Sequence, residues 1–339
     1  MKRWIVMLTG LVLTMTAAAV DMPDLYTVTV PWEEQRRDGR ELAYAAALDL
    51  VLRRMTPNTG AAWRKADLAP ASRFVLGYRE SGASALLVSF DGAAVTAALQ
   101  EAGIPVWGSD RPLTLAWIAV EDETGERQLV AARALAEESP FAREVRAALT
   151  EAASLHGLPL RLPILDDTDR GLVTDSDIWG GFVDRIRGAS QRYGAQSVLI
   201  GRITAAAPER ARWSWSFAGD NSSFGAPVVD AVQRMSGEFL RQFATEPGLS
   251  EDVLINVVGI DSMLNYGRVT RLLNSQSLIG AVDVVAMEGD AVTFRIDALA
   301  SRQRLGKLLD GDVLESVAVA TLPGGAADLF FRVRALEMP

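Results

Sequence analysis

Apolar positions recur along the chain with two spacings, and the changes between them divide it into three regions. In the first, residues 21–106, the segment 25–30 (LYTVTV) alternates as a half-buried strand does, and Pro31 stops it. Leu48, Val51, Leu52 and Met55 lie at i, i+3, i+4 and i+7, which predicts a helix. The segment 56–60 (TPNTG) breaks it. Alanine-rich 61–69 predicts a shorter helix ended by Pro70. Residues 85–90 (ALLVSF) predict a strand; Asp91 caps a helix running through Gln100, and Gly103 closes it. The expected order is β-α-α-β-α.

The second region, 111–246, opens with 113–120 (LTLAWIAV), an almost unbroken apolar run of the kind buried on both faces. Phe141, Val145, Ala148, Leu149 and Ala152 share one helical face. Residues 157–163 (GLPLRLP) predict a short strand between prolines. Ile178, Phe182, Ile186, Ala189 and Tyr193 predict one continuous helix, with Asp177 as its N-cap. Residues 197–203 (SVLIGRI) and 212–217 predict strands, and Val228, Val232, Met235, Phe239 and Phe243 a last helix. This alternation implies an α/β sheet covered by helices.

The third region, 250–319, predicts strands at 253–258, 281–287, 291–297 and 313–319, with helices at 263–273 and 301–309. That is β-α-β-β-α-β, the ferredoxin-like order. Val292, Phe294 and Ile296 alternate with Thr293, Arg295 and Asp297, so one sheet face is buried and the other polar. Residues 320–339 are a tail in which 329–333 can add a strand. The expected class is therefore α/β and α+β, in three modules.

Composition narrows the chemistry. At 339 residues and 49% hydrophobic, the chain can bury several cores. Its 34 Lys+Arg against 43 Asp+Glu give −9, which argues against a nucleic-acid partner needing a basic face. There is no Cys and one His, so thiol catalysis, disulfides, Cys-ligated zinc, iron–sulfur clusters and multi-His sites are excluded.

The N-terminus reads as an export signal. Lys2 and Arg3 precede an apolar run at 4–15 (WIVMLTGLVLTM), and Ala17-Ala18-Ala19 fits the small-residue cleavage rule. Residues 1–19 are thus expected to be removed, taking two positive charges and no acidic ones, so the charge moves from −9 to −11. The expected product is periplasmic, is not a lipoprotein because it lacks Cys, and has no stable membrane span.

Two clusters are candidate sites. Asp166, Asp167 and Asp169, followed by Asp175 and Asp177, crowd carboxylates onto what reads as a loop. Such groups could hold calcium or a small ligand, or divide acid and base roles between them. Helix capping is the plainer account, the spacing is not that of an EF-hand loop, and the metal is unspecified. Trp213, Trp215 and Phe217 share one face of a predicted strand; exposed, they could contact a sugar or peptide, but burial under a helix is the expected state. His156 sits at a helix end, where a dipole interaction is expected. Gly180-Gly181 is expected to allow close backbone packing, and Arg302-Gln303-Arg304 to be a solvated helix face. No G-x-S-x-G, Ser-x-x-Lys, P-loop or G-x-G-x-x-G pattern occurs, so no catalytic residue is assigned and no cofactor is expected.

Several segments carry a resemblance. LYTVTVP, GIPVWGSDRPLTLAWIAVED, DSDIWGGFVDRIRGASQRYGAQSVLIGRI and VVGIDSMLNYGRVTRLLNSQSLIGAVDVV resemble the exported proteobacterial family catalogued as domain of unknown function 2066, over nearly all of the mature chain. That implies an envelope protein with no assigned activity. At fold level, ASQRYGAQSVLIGRI resembles a helix-then-strand signature in the N-terminal domain of the translocation protein TolB and in curli-secretion-type lipoproteins, implying a binding role. The expected function is a non-enzymatic periplasmic adaptor with envelope-protein partners. The alternatives are a calcium- or small-ligand-binding protein using the 166–177 segment and, last, a carboxylate-dependent hydrolase.

Overall fold

In a computed structural model the apolar runs become four buried clusters: one in the N-terminal module, one on each face of the middle sheet, and one in the C-terminal domain. The structure describes residues 20–21, 25–32, 38–57, 59–82, 84–246, 248–276, 278–311, 313–317 and 327–335. The export segment 1–19 and residues 320–326 and 336–339 of the tail lie outside these.

In the N-terminal module β1 (Val20–Asp21) precedes β2 (Thr27–Pro31), α1 (Gly39–Met55), α2 (Thr59–Lys65), β3 (Val75–Glu80), β4 (Ala85–Phe90) and α3 (Gly92–Glu101). The sheet order is β2-β4-β3, all antiparallel. Leu48, Val51, Leu52 and Met55 of α1 are fully buried against it. Asp91 accepts from the Ala94 amide at 3.0 Å, capping α3, and Gly103 takes φ +69°. Strand β3 has no counterpart in the sequence pattern. It is an edge strand, exposed along nearly its whole length, so burial imposes no alternation on it.

The middle domain contains β5 (Asp110–Arg111), β6 (Thr114–Glu121), β7 (Arg127–Leu129), α4 (Pro140–Leu155), β8 (Leu160–Arg161), α5 (Asp167–Leu172), α6 (Asp175–Gly180), α7 (Val183–Ser190), β9 (Ser197–Thr204), β10 (Arg212–Phe217), β11 (Asp220–Gly225) and α8 (Val228–Phe243). The sheet runs β11-β10-β9-β6-β7, with β8 also on β6. Strands β6 and β9 are parallel and central, which explains their continuous apolar sequences. Helices α4 and α8 cover one face and α6 and α7 the other. The helix expected over 178–193 is broken in two, because Gly181 takes φ +73° and ends α6. Its expected N-cap, Asp177, is instead the fourth residue of a capping box whose N-cap is Thr174.

The C-terminal domain contains β12 (Glu251–Val258), α9 (Met263–Ser275), β13 (Ile279–Glu288), β14 (Ala291–Ala298), α10 (Arg302–Leu309), β15 (Leu314–Ser316) and β16 (Leu329–Val333). The β-α-β-β-α-β order is present through β15, but the sheet order is β13-β14-β12-β16-β15. Residues of the expected tail form β16, which inserts parallel to β12 and leaves β15 at the edge. Phe331 and Val333 bury one side of this strand in the core, so it outcompetes the shorter β15 for the place beside β12.

The domains meet around the end of α8. Thr245 N–H donates to the Val106 carbonyl at 2.9 Å, and Val106 N–H to Thr245 Oγ1 at 3.1 Å. On the other side Arg304 donates to the carbonyls of Gln242 and Ala244 and to Glu246. Arg304 thus belongs to a domain junction, although its segment was expected to be a solvated face. Among the described residues no helix is long and apolar enough to cross a membrane.

Candidate functional site

The acidic segment folds into helix ends with dedicated partners. Asp166 is the N-cap of α5, accepting from the Asp169 amide at 2.9 Å. Arg192 reaches across to it from the turn after α7, with both terminal nitrogens at 2.7 Å. That guanidinium holds the Asp166 carboxyl well below the usual carboxylate range. Asp169 is fully buried, and takes Arg192 Nη1 at 2.7 Å, the Leu165 amide at 2.9 Å and the Tyr193 hydroxyl. Burial and the bond to Asp169 push the Tyr193 hydroxyl up to about 12.

Asp177 is buried separately. It accepts from the Thr174 amide and hydroxyl at 2.8 Å each and from Arg185 at 3.0 Å. The Thr174 bonds lower its pKa first, with Arg185 adding to the effect. Asp167 is exposed, 4.0 Å from Arg170, and Asp175 is half-buried. Asp166 and Asp169 therefore share Arg192, while Asp177 is held by Arg185 and Asp167 and Asp175 take part in neither pair. Among the described residues no group of three His, Asp or Glu side chains is arranged to hold a metal ion. Chemically the cluster is a clamp between α5, α6, α7 and the turn at 191–193. Arg192 and Arg185 were not singled out from the sequence, and Tyr193 was read only as part of a helical face, since Arg192 lies 26 residues from Asp166 and no local spacing links them.

The aromatic strand face is filled rather than open. Trp213 is 1% and Trp215 9% exposed, and Phe217 is half-buried. Phe239 of α8 meets Trp215 and Phe217 edge-on at 5.2 and 5.0 Å between ring centres. Trp215 Nε1 donates to Ser197 Oγ at 2.7 Å, and Trp213 Nε1 to the Ala226 carbonyl at 2.8 Å. Trp213 and Trp215 thus spend this face on the core, and only Phe217 keeps part of its ring exposed.

His156 caps the C-terminus of α4. Burial and the nearby Arg53 guanidinium push its imidazole below the ordinary value, so it is neutral at pH 7. Desolvation and a neighbouring cation therefore outweigh the dipole attraction expected at a helix end.

A second fully buried charge, after Asp169, is Arg111. It is fully buried, donates to the carbonyls of Gly108, Gly157, Arg54 and Trp107 at 2.7–3.0 Å, and stacks 3.9 Å from the Trp107 ring. Burial lowers its guanidinium to about 9, so it remains charged at neutral pH. This arrangement is a structural joint. Arg54 beside it donates to Ser154, Leu25 and Thr27 carbonyls, tying α1 to the end of α4 and to β2.

A family model described as Domain of unknown function (DUF8605) matches residues 19–108, the stretch that holds the N-terminal module. No curated protein and no solved structure matches the chain. The expected resemblance to domain of unknown function 2066 is thereby overturned, since the matching model is a different one and stops at residue 108. The fold-level likeness to TolB and curli-secretion-type domains falls with it. The segments that suggested both are mostly buried strands and helix-to-strand passages. Their patterns follow from burial on two sheet faces, a constraint that unrelated α/β proteins share.

Proposed function

We propose that the chain is a non-enzymatic, exported protein of the cell envelope that binds protein partners through an edge of its C-terminal sheet. The observation that carries this reading is strand β13. It closes one side of the five-stranded sheet, and Val284, Val285 and Met287 on it are 42, 46 and 61% exposed. At the start of α9, Met263 and Leu264 are 82 and 63% exposed. A strand edge with apolar side chains is the surface on which another chain can add a strand. Asp283 and Glu288 on the same strand favour a partner segment carrying basic residues.

The test is site-specific photo-crosslinking in intact cells. A crosslinkable residue at Val285 is expected to give a discrete adduct with an envelope protein, while the same residue at Glu123, in an exposed turn, gives none. Lys in place of Val284 should abolish the adduct. Equal yields at both positions, or no adduct at Val285, would overturn the reading. Export is tested separately, by the N-terminal sequence of the mature protein, expected to begin at Val20.

A further inference from the structure

We propose that Arg202 and Arg212, with Ser214 and Ser223 beside them, form a binding site for a phosphate-type oxyanion on the uncovered part of the middle sheet. The two arginines are direct register partners across the antiparallel pair β9 and β10. Their side chains therefore leave the same face of the sheet, with α-carbons about 5 Å apart. This is the face opposite Trp213 and Trp215, which are buried under α8. Two like charges placed directly across a sheet repel each other, so the arrangement costs stability unless something neutralises it.

Among the described residues nothing does. Arg212 is exposed and makes no hydrogen bond or ion pair there. Arg202 is half-buried and its Nη1 donates to the Trp179 carbonyl at 3.1 Å, which fixes the side chain without neutralising it. Glu121, two positions along β6 from Ala119, the partner of Arg202, is already engaged. Glu121 takes Arg127 at 2.7 Å, and Arg127 lies 4.4 Å over the Trp179 ring. In a chain with 43 acidic and 34 basic residues, two facing arginines without a counter-charge stand apart.

The surroundings suit an oxyanion. Ser214 and Ser223 are partners across β10 and β11, with hydroxyl oxygens 3.3 Å apart on the same face. Gly225 is the partner of Arg212 on β11, so no side chain covers the guanidinium from that direction. The result is a ledge with planar guanidinium forks at one end and hydroxyl donors at the other. Guanidinium forks match the paired oxygens of a phosphate, and the hydroxyls can donate to a third. The site lies on a different domain from the β13 edge and is independent of the protein-docking reading.

The experiment is a melting series of the mature chain in inorganic phosphate, with ionic strength held constant by chloride. The expected result is a saturable rise in melting temperature for the wild type. In R212Q the concentration giving half the rise should increase at least tenfold, and in S223A by less. R271Q, which removes the same charge from an exposed position in another domain, should behave as wild type. No saturable rise, or an equal rise in R212Q, would overturn the proposal. Sedimentation with phosphatidylglycerol vesicles but not phosphatidylcholine vesicles, lost in R212Q, would identify a lipid headgroup as the source of the phosphate. Saturation by free phosphate without sedimentation would identify a soluble one.

Discussion

Arg111 donates through Nη1 to the carbonyl of Gly157 at 2.7 Å, joining the segment after the N-terminal module to the turn that ends α4. Gly157 has φ +60°, and a β-carbon there would lie 2.7 Å from Arg111 Nη1 and 2.9 Å from Arg54 Cβ. Neither arginine can give way easily, since Arg111 is held by four carbonyl acceptors and the Arg54 contact is at the base of its side chain. The substitution Gly157→Ala should therefore lower unfolding stability by about 2 kcal/mol, from strain and displacement together. Equilibrium urea unfolding measures it.

The buried carboxylate of Asp169 makes a second prediction. Removing it leaves the Tyr193 hydroxyl and Leu165 amide without their acceptor, while Arg192 keeps Asp166. Asp169→Ala should cost about 3 kcal/mol, from two unsatisfied groups in a buried site. Tyr193→Phe leaves Asp169 with Arg192 and the Leu165 amide, and should cost about 1 kcal/mol. Urea unfolding of the two variants should preserve that order.

His156 sets a pH dependence whose sign is fixed by its environment. Its folded pKa is lowered by burial and by Arg53, so near pH 6.5 the unfolded chain binds the proton first. This contribution to stability is fully present above the ordinary imidazole value of about 6.5. It is lost as the pH falls from there through the folded pKa. His156→Gln should flatten the stability profile in that window. Since the chain has one His, a single imidazole titration by NMR checks the shift directly.

Calcium is expected to leave the melting temperature unchanged. Asp166, Asp169 and Asp177 already take arginine partners, and a cation would have to displace Arg192 or Arg185 to reach them. A calcium-dependent rise that disappears in Asp167→Ala or Asp175→Ala would restore the ion-binding account.

Overpacking the sheet gives a last test. A β-carbon on Gly201 would lie 2.5 Å from the Trp213 ring and 2.8 Å from Ile118 Cδ1. Both neighbours are fully or nearly fully buried, so Gly201→Ala should cost about 2 kcal/mol by thermal or urea unfolding.

Elements whose burial is one-sided or complete were legible from residue order. Strands β4, β6, β9 and β10 and helices α1, α4 and α8 fall where apolar spacing puts them, because burial selects side chains at the period of the element. Strands β3 and β11 were not legible. Each is an edge with exposed side chains, so its sequence carries no apolar period. The broken helix at Gly181 shows a limit of a different kind. Ile178 and Ile186 pack on one sheet face from either side of the left-handed glycine, while Phe182, which the apolar spacing put between them, is exposed.

The sequence by itself determined the α-and-β class, the three apolar regions and the absence of cysteine chemistry, because these depend on residue type and local period. It also put the carboxylates of 166–177 close together along the chain. Only the tertiary structure decided what they do, by bringing Arg192 and Arg185 to them from later elements. The same holds for β16 beside β12, for Arg111 among four carbonyls, and for Arg202 facing Arg212. Strand register and long-range pairing depend on which surfaces meet. No local pattern encodes that, so charges that look solvated in order along the chain become clamps, joints and an unneutralised pair once it folds.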